Sequence, residues 1–139
     1  MTDAPSLERR GQDPPALDAP PVVVCLHGLG RSAWSLLRLR RRIARAGYDT
    51  IAPGYPSRRL PVTELAARVR RTVRAEVAER PLLAVTHSLG GILVRHLPEL
   101  PWRRIVMLAP PNRGSRVARQ MFRHSLFRWM LGPAAGEVG

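Results

Sequence analysis

Apolar residues along this chain follow two patterns, short continuous runs and longer stretches with helical spacing. Continuous runs are typical of strands buried on both faces of a parallel sheet, and spacing of three or four residues is typical of helices that cover a sheet. The runs predict strands over 21–26, 48–52, 82–86 and 104–109. The spaced stretches predict helices from a cap at Ser32 to Gly47, over 63–79, from Ser88 to about His96 and over 116–130.

The order of these elements predicts the fold class. Strand and helix alternate along the chain, which indicates an α/β fold: a parallel sheet of about four strands, joined by right-handed crossovers, with helices on both faces. Ligands of such sheets bind beyond the carboxyl ends of the strands. Loops marked by glycine or proline follow three strands, at 27–31, 86–91 and 110–115. We therefore expect the functional site at that edge.

A length of 139 residues leaves room for one domain with a core of ordinary size. We expect a partial α/β domain over 21–131. Residues 1–20 are rich in Pro, Asp and Ala, which predicts a disordered leader, and the Gly- and Ala-rich residues 132–139 predict a flexible tail.

The formal charge of +13 is carried entirely by arginine, since the 23 basic residues include no lysine. A solvated arginine-rich surface, in part a compositional bias, explains this charge without any partner. A nucleic acid or an anionic membrane is the alternative. The sequence lacks a recognisable nucleic-acid module, so we predict no specific nucleic-acid partner.

Cys25 is the single cysteine, so an internal disulfide is impossible, and its place within an apolar run predicts a small buried side chain. The sequence shows no apolar segment typical of a signal peptide before Pro20 and none of transmembrane length. These features predict a cytoplasmic protein.

The stretch around Ser88 carries the strongest chemical signal. The apolar run over 82–86 breaks at His87 and Ser88, and Gly90 and Gly91 then open an apolar helix. A strand that turns sharply into a helix at a serine is typical of a nucleophile elbow. Gly90 is expected where neighbouring backbone comes too close for a Cβ atom. An ordinary helix cap is the alternative role for this serine.

A nucleophile of this kind needs donors for the oxyanion that forms on attack. The backbone N–H of Leu89 lies at a helix start, where donors are free. The second donor is expected from the loop after the first strand, where Leu29 follows His27 and Gly28 and precedes Gly30. We predict that His27 shapes this loop rather than accepting a proton.

Three segments of the chain together resemble the α/β-hydrolase superfamily, in particular its bacterial lipase- or esterase-like members. These segments are 22–34 with His-Gly-Leu-Gly, 83–95 with Thr-His-Ser-Leu-Gly-Gly, and 105–115 with Pro-Pro-Asn-Arg-Gly-Ser. The resemblance implies a serine hydrolase that acts on small-molecule or lipid esters without a cofactor or a metal. One departure is Thr86, which stands where the family pattern G-x-S-x-G has its first glycine.

The rest of the triad is the larger departure. The family order is nucleophile, acid, histidine, and the acid and histidine follow later strands. Glu99 precedes a strand, His124 lies within the predicted last helix, and His96 is about 12 Å along the elbow helix. His87 is expected to point away from Ser88. We assign neither base nor acid, and the chain is expected to be a truncated hydrolase or a degenerate copy.

Two rival interpretations concern other segments. Gly28 begins a G-x-G-x-x-A pattern, but the acid that a dinucleotide site needs at the second strand's end is absent, since Asp49 lies at its start. Residues 116–130 combine arginines with large apolar side chains, so this segment is either a helix that covers the sheet or a helix that makes a weak contact with an anionic membrane.

The sequence as a whole leaves two functional hypotheses, an esterase-like hydrolase and a non-catalytic binding module of the same fold.

Overall fold

The computed structural model of the chain describes residues 19–110. It contains four strands, β1 (Val22–Leu26), β2 (Asp49–Ile51), β3 (Leu82–His87) and β4 (Trp102–Leu108). Its α-helices are α1 (Leu37–Arg45), α2 (Val62–Val77) and α3 (Leu89–Arg95), and a short 3-10 helix over Ala33–Leu36 precedes α1. The predicted leader, tail and 116–130 helix lie outside the described residues, apart from the end of the leader at 19–20.

All three strand pairings are parallel, and the sheet order is β2-β1-β3-β4. The predicted α/β fold with a parallel sheet is confirmed. From β1 the chain adds β2 on one side and then crosses back to add β3 on the other. The crevice between β1 and β3 is therefore the topological switch point, where ligands of such sheets bind.

Alternate residues of the strands point to two apolar cores, one on each face of the sheet. The larger core joins Val24, Leu26 and Ala84 to the apolar faces of α2 and α3. The smaller one joins Val23 and Cys25 to residues of α1 and the turn before it. Helices therefore cover both faces, as the alternation of elements predicts.

Two local predictions need correction. The fourth strand was expected to be buried, but most of β4 is exposed, because within residues 19–110 it pairs with β3 alone and no helix packs extensively on its faces. Ser32 precedes a 3-10 turn instead of an α-helix, and its side chain forms no capping hydrogen bond. Its carbonyl oxygen instead accepts a hydrogen bond from the Ser35 hydroxyl at 2.6 Å. Gly47 ends α1 at φ 90°, a conformation that favours glycine.

Candidate active site

Ser88 occupies the one-residue turn between β3 and α3. Its backbone has φ 49° and ψ −112°, a region that residues with a side chain rarely adopt. The Ser88 N–H donates to the Leu108 carbonyl at 3.0 Å, and the Ser88 carbonyl accepts from the Gly91 N–H at 2.9 Å. The turn is thus held on both sides, and it leaves the serine half-buried at the carboxyl end of β3.

Gly90 lets the first turn of α3 lie directly against the end of β1. A Cβ atom at residue 90 would be 2.5 Å from the Leu26 carbonyl oxygen and 2.8 Å from the Leu26 Cβ. The close backbone approach expected from the sequence is present, and it brings the serine turn beside the loop that follows β1.

Thr86, two residues before the serine, lies beside the first turn of α3. Thr86 is buried, and its Oγ1 would be 3.4 Å from a Cβ atom at residue 91. That distance is an ordinary van der Waals contact, so Thr86 does not require glycine at residue 91. The Thr86 Oγ1 has no hydrogen-bond partner within the described residues.

The loop after β1 is rigidly held by residues that follow β2. Tyr55 stacks on His27 with ring centroids 3.9 Å apart, and its hydroxyl donates to the His27 carbonyl at 2.5 Å. The N–H of Gly30 donates to the Ser57 hydroxyl at 2.9 Å. Sequence reasoning missed Tyr55 and Ser57, although their Pro-Gly-Tyr-Pro-Ser loop lies at the same edge of the sheet.

His27 is buried, which excludes it from direct contact with solvent. Its Nδ1–H donates to the Gly28 carbonyl at 2.9 Å, and its Nε2 has no hydrogen-bond partner within the described residues. Burial lowers the pKa of His27 below its ordinary value, which favours the neutral imidazole. These contacts fit a histidine that shapes the loop.

His87 lies on the loop side of the serine turn. Its Nδ1 would be only 2.8 Å from a Cβ atom at residue 28, so Gly28 makes room for the imidazole ring. Within residues 19–110, neither His87 nor the exposed His96 forms a hydrogen bond with the Ser88 hydroxyl.

The two predicted oxyanion donors lie at the ends of neighbouring strands. Leu26 of β1 pairs with Thr86 of β3 in the sheet. Leu29 and Leu89 each follow their member of this pair by three residues, so both leave the carboxyl ends of adjacent strands. No acceptor among residues 19–110 receives the N–H of Leu29 or of Leu89. Both N–H groups therefore lack an acceptor within the described residues, at the ends of the two strands that flank the switch point.

The acidic candidates lie at the opposite edge of the sheet. Glu99 precedes β4 and pairs with Arg70 at 3.0 Å, and Asp49 begins β2 and pairs with Arg80 at 2.7 Å. Neither carboxylate can orient a base at Ser88 or bind a ribose at the carboxyl end of β2. His124 and the loop over 111–115 lie outside the described residues.

A parallel sheet with a serine turn at its switch point defines the α/β-hydrolase class of fold. Residues 23–138 match the model of the alpha/beta hydrolase family. The chain therefore belongs to the alpha/beta hydrolase family. No curated protein sequence matches it significantly.

Among solved structures, the fold is similar to an extracellular alpha/beta-hydrolase from a Paenibacillus species, described as sharing structural and functional homology with tobacco salicylic acid binding protein 2. The TM-score is 0.56 and the identity 20%, and the match covers 73% of this chain. It covers 46% of that hydrolase, so this chain corresponds to less than half of it. Within residues 19–110, no helix is long and apolar enough to cross a membrane.

Proposed function

We propose that this protein is a serine hydrolase of carboxylic esters, lipase- or esterase-like, with Ser88 as its nucleophile. The observation that carries this proposal is the backbone of Ser88, φ 49° and ψ −112°, at the turn between β3 and α3. Strained backbone of this kind costs about 1–3 kcal/mol and is concentrated at functional sites. An ordinary helix cap does not need this conformation, because capping residues normally have extended backbone.

In the proposed reaction, the Ser88 hydroxyl oxygen attacks the ester carbonyl. The carbonyl oxygen then carries negative charge, and the N–H groups of Leu29 and Leu89 stabilise it by hydrogen bonding. Gly28, Gly30 and Gly90 shape the backbone around this position, and His27 and His87 pack beside it. As the tetrahedral intermediate collapses, the bond from the carbonyl carbon to the leaving oxygen breaks, and that oxygen takes up the proton lost by Ser88 and departs as the alcohol. Water then attacks the acyl-serine ester, which releases the acid and returns a proton to the Ser88 oxygen.

Within residues 19–110 no side chain accepts a hydrogen bond from the Ser88 hydroxyl, so we assign no base there. The same observation favours a second candidate, a binding module of this fold without turnover.

We also propose, from the sequence, that the protein is cytoplasmic and that residues 116–130 make a weak contact with an anionic membrane.

Labelling with a fluorophosphonate probe tests the nucleophile. We expect covalent labelling of the unaltered chain and none of Ser88→Ala, because the probe forms its bond with an activated serine oxygen. Ser35→Ala is the matched control, since Ser35 is an exposed serine in the 3-10 turn, and it should label like the unaltered chain. Equal labelling of Ser88→Ala, or no labelling of the unaltered chain, would contradict the hydrolase and favour the binding module.

A further inference from the structure

A polar groove lies directly beside the loop that carries the Leu29 donor. It has a volume of about 230 Å³ and is lined by residues 30–31, which follow β1, and 55–59, which follow β2. Because both segments leave the carboxyl ends of parallel strands, the groove opens at the same edge of the sheet as Ser88. The proposed ester hydrolysis gives this groove no role.

The groove is strongly basic. Arg31, Arg58 and Arg59 line it, and none of its lining residues is acidic. Within residues 19–110, neither Arg31 nor Arg59 forms an ion pair, and the two ion pairs of that region lie at the opposite edge of the sheet. A guanidinium group offers a planar set of donors that matches the oxygens of a carboxylate or a phosphate.

The floor of the groove is organised by buried side chains rather than by surface arginines alone. Ser57 is 3% exposed, and its hydroxyl oxygen accepts the hydrogen bond from the Gly30 N–H. The hydroxyl can still donate its own proton. Tyr55 is 6% exposed and stacks on His27, so the groove wall and the loop after β1 are packed as one unit.

We propose that this groove binds a negatively charged group of the substrate, a carboxylate or a phosphate, while the ester carbonyl lies at Ser88. The inference deepens the proposed function and rests on it. Leu29 directly precedes Gly30, and neighbouring Cα atoms are about 3.8 Å apart. One short chain can therefore place a carbonyl at the Leu29 N–H and an anionic group in the groove. The substrate class is that of acidic esters, such as monoesters of dicarboxylic acids or esters that carry a phosphate.

Binding to the Ser88→Ala chain tests the groove without any turnover. The probes are monomethyl glutarate and its neutral counterpart dimethyl glutarate, titrated by calorimetry. We expect the acid to bind about tenfold more tightly, as hydrogen bonds to charged groups contribute that much or more. Adding Arg31→Gln and Arg59→Gln should reduce this preference to about twofold or less. Inorganic phosphate, titrated as a competitor, distinguishes a carboxylate substrate from a phosphate-bearing one. If phosphate binds more tightly than monomethyl glutarate, the natural substrate is an ester that carries a phosphate.

The matched control is Arg41→Gln with Arg42→Gln in the same Ser88→Ala chain. These arginines are exposed on α1, so the control removes the same charge away from the groove. It should keep the preference for the acid. Equal binding of acid and neutral ester would overturn the proposal, and so would an equal loss of preference in the control.

Fluorophosphonate labelling of the unaltered chain separates this proposal from the proposed function. Discrimination by charge without labelling supports an anion-binding groove in a protein that is no hydrolase. Labelling without discrimination by charge leaves the hydrolase in place and overturns the groove. Circular dichroism of each variant establishes that a loss of binding reflects the groove and not a loss of folding.

Discussion

Ser88 is a residue whose backbone conformation is imposed by its neighbours. Its intrinsic preference opposes a positive φ, at a cost of about 1–3 kcal/mol. The hydrogen bond from the Ser88 N–H to the Leu108 carbonyl and the close packing of Gly90 against Leu26 together hold the turn in this conformation. The same two contacts fix Ser88 between the ends of β1 and β4, so the backbone strain and the position of the proposed nucleophile have one cause.

His27 predicts a pH dependence of stability at the scale of one side chain. Burial lowers its folded pKa below the ordinary 6.5, so below about pH 6.5 the unfolded chain binds a proton that the folded chain does not. Stability is therefore complete above that pH and decreases as the pH falls through the lowered pKa. His27→Phe keeps an aromatic ring against Tyr55 but cannot titrate, so its free energy of unfolding should change less between about pH 7.5 and about pH 5.5. Urea unfolding measures this.

The control for that experiment is His96→Phe, which removes an exposed histidine at the end of α3. If it flattened the pH dependence as much as His27→Phe, the assignment to the buried imidazole would be wrong.

At the scale of the elements, the position of α3 against β1 decides whether the serine turn can exist. Adjacent glycines lie in the first turn of this helix, but they differ in their surroundings. A Cβ atom at residue 90 would be 2.5 Å from the Leu26 carbonyl oxygen, whereas a Cβ atom at residue 91 would be 3.4 Å from its nearest neighbour, the Thr86 Oγ1. Only the first of these contacts sets the distance between the helix and the strand.

We expect Gly90→Ala to destabilise the protein by about 1–3 kcal/mol, because a Cβ atom there must push α3 away from β1. Gly91→Ala is the matched substitution in the same helix. It should be neutral or stabilising by up to about 1 kcal/mol, because its Cβ atom would make only ordinary contacts and alanine has the higher helix propensity. The free energy of unfolding in urea measures both. Similar losses for the two variants would contradict the close approach to Leu26.

At the scale of the whole molecule, β4 presents an apolar edge. Ile105, Val106 and Leu108 are 37%, 45% and 42% exposed, and within residues 19–110 β4 pairs with β3 alone. Val106 also borders an apolar groove between α1 and the sheet. Exposed apolar edges of this kind favour association between chains.

We therefore expect the average mass of the chain in solution, measured by sedimentation, to rise with concentration. Val106→Lys should suppress this association, because a charge on the strand edge opposes pairing. Ala75→Lys adds the same charge to an exposed position of α2 and should leave the association unchanged. A monomer at every concentration would show that this edge is not used.

Within residues 19–110, the sequence by itself determined the strands and helices apart from the 3-10 turn at Ala33–Leu36, the parallel α/β fold, and the placing of Ser88 and Leu29 at the carboxyl ends of strands. These features follow from local information: the period of apolar residues selects strand or helix, and glycines mark the turns. The match to the alpha/beta hydrolase family confirms the family resemblance. The sequence could show that resemblance because its motifs are short and contiguous.

Only the tertiary structure decided which distant residues meet. The sheet order made β1 and β3 neighbours, Tyr55 packed on His27, and Gly90 brought α3 against the end of β1. The exposure of β4 likewise depends on which elements flank and cover it, which the apolar run over 104–109 does not encode. The arginine-lined groove arises because loops from two strands converge. Such contacts join residues that are far apart in the sequence. A local pattern of apolar residues does not specify them, because they depend on how the helices, strands and loops pack together.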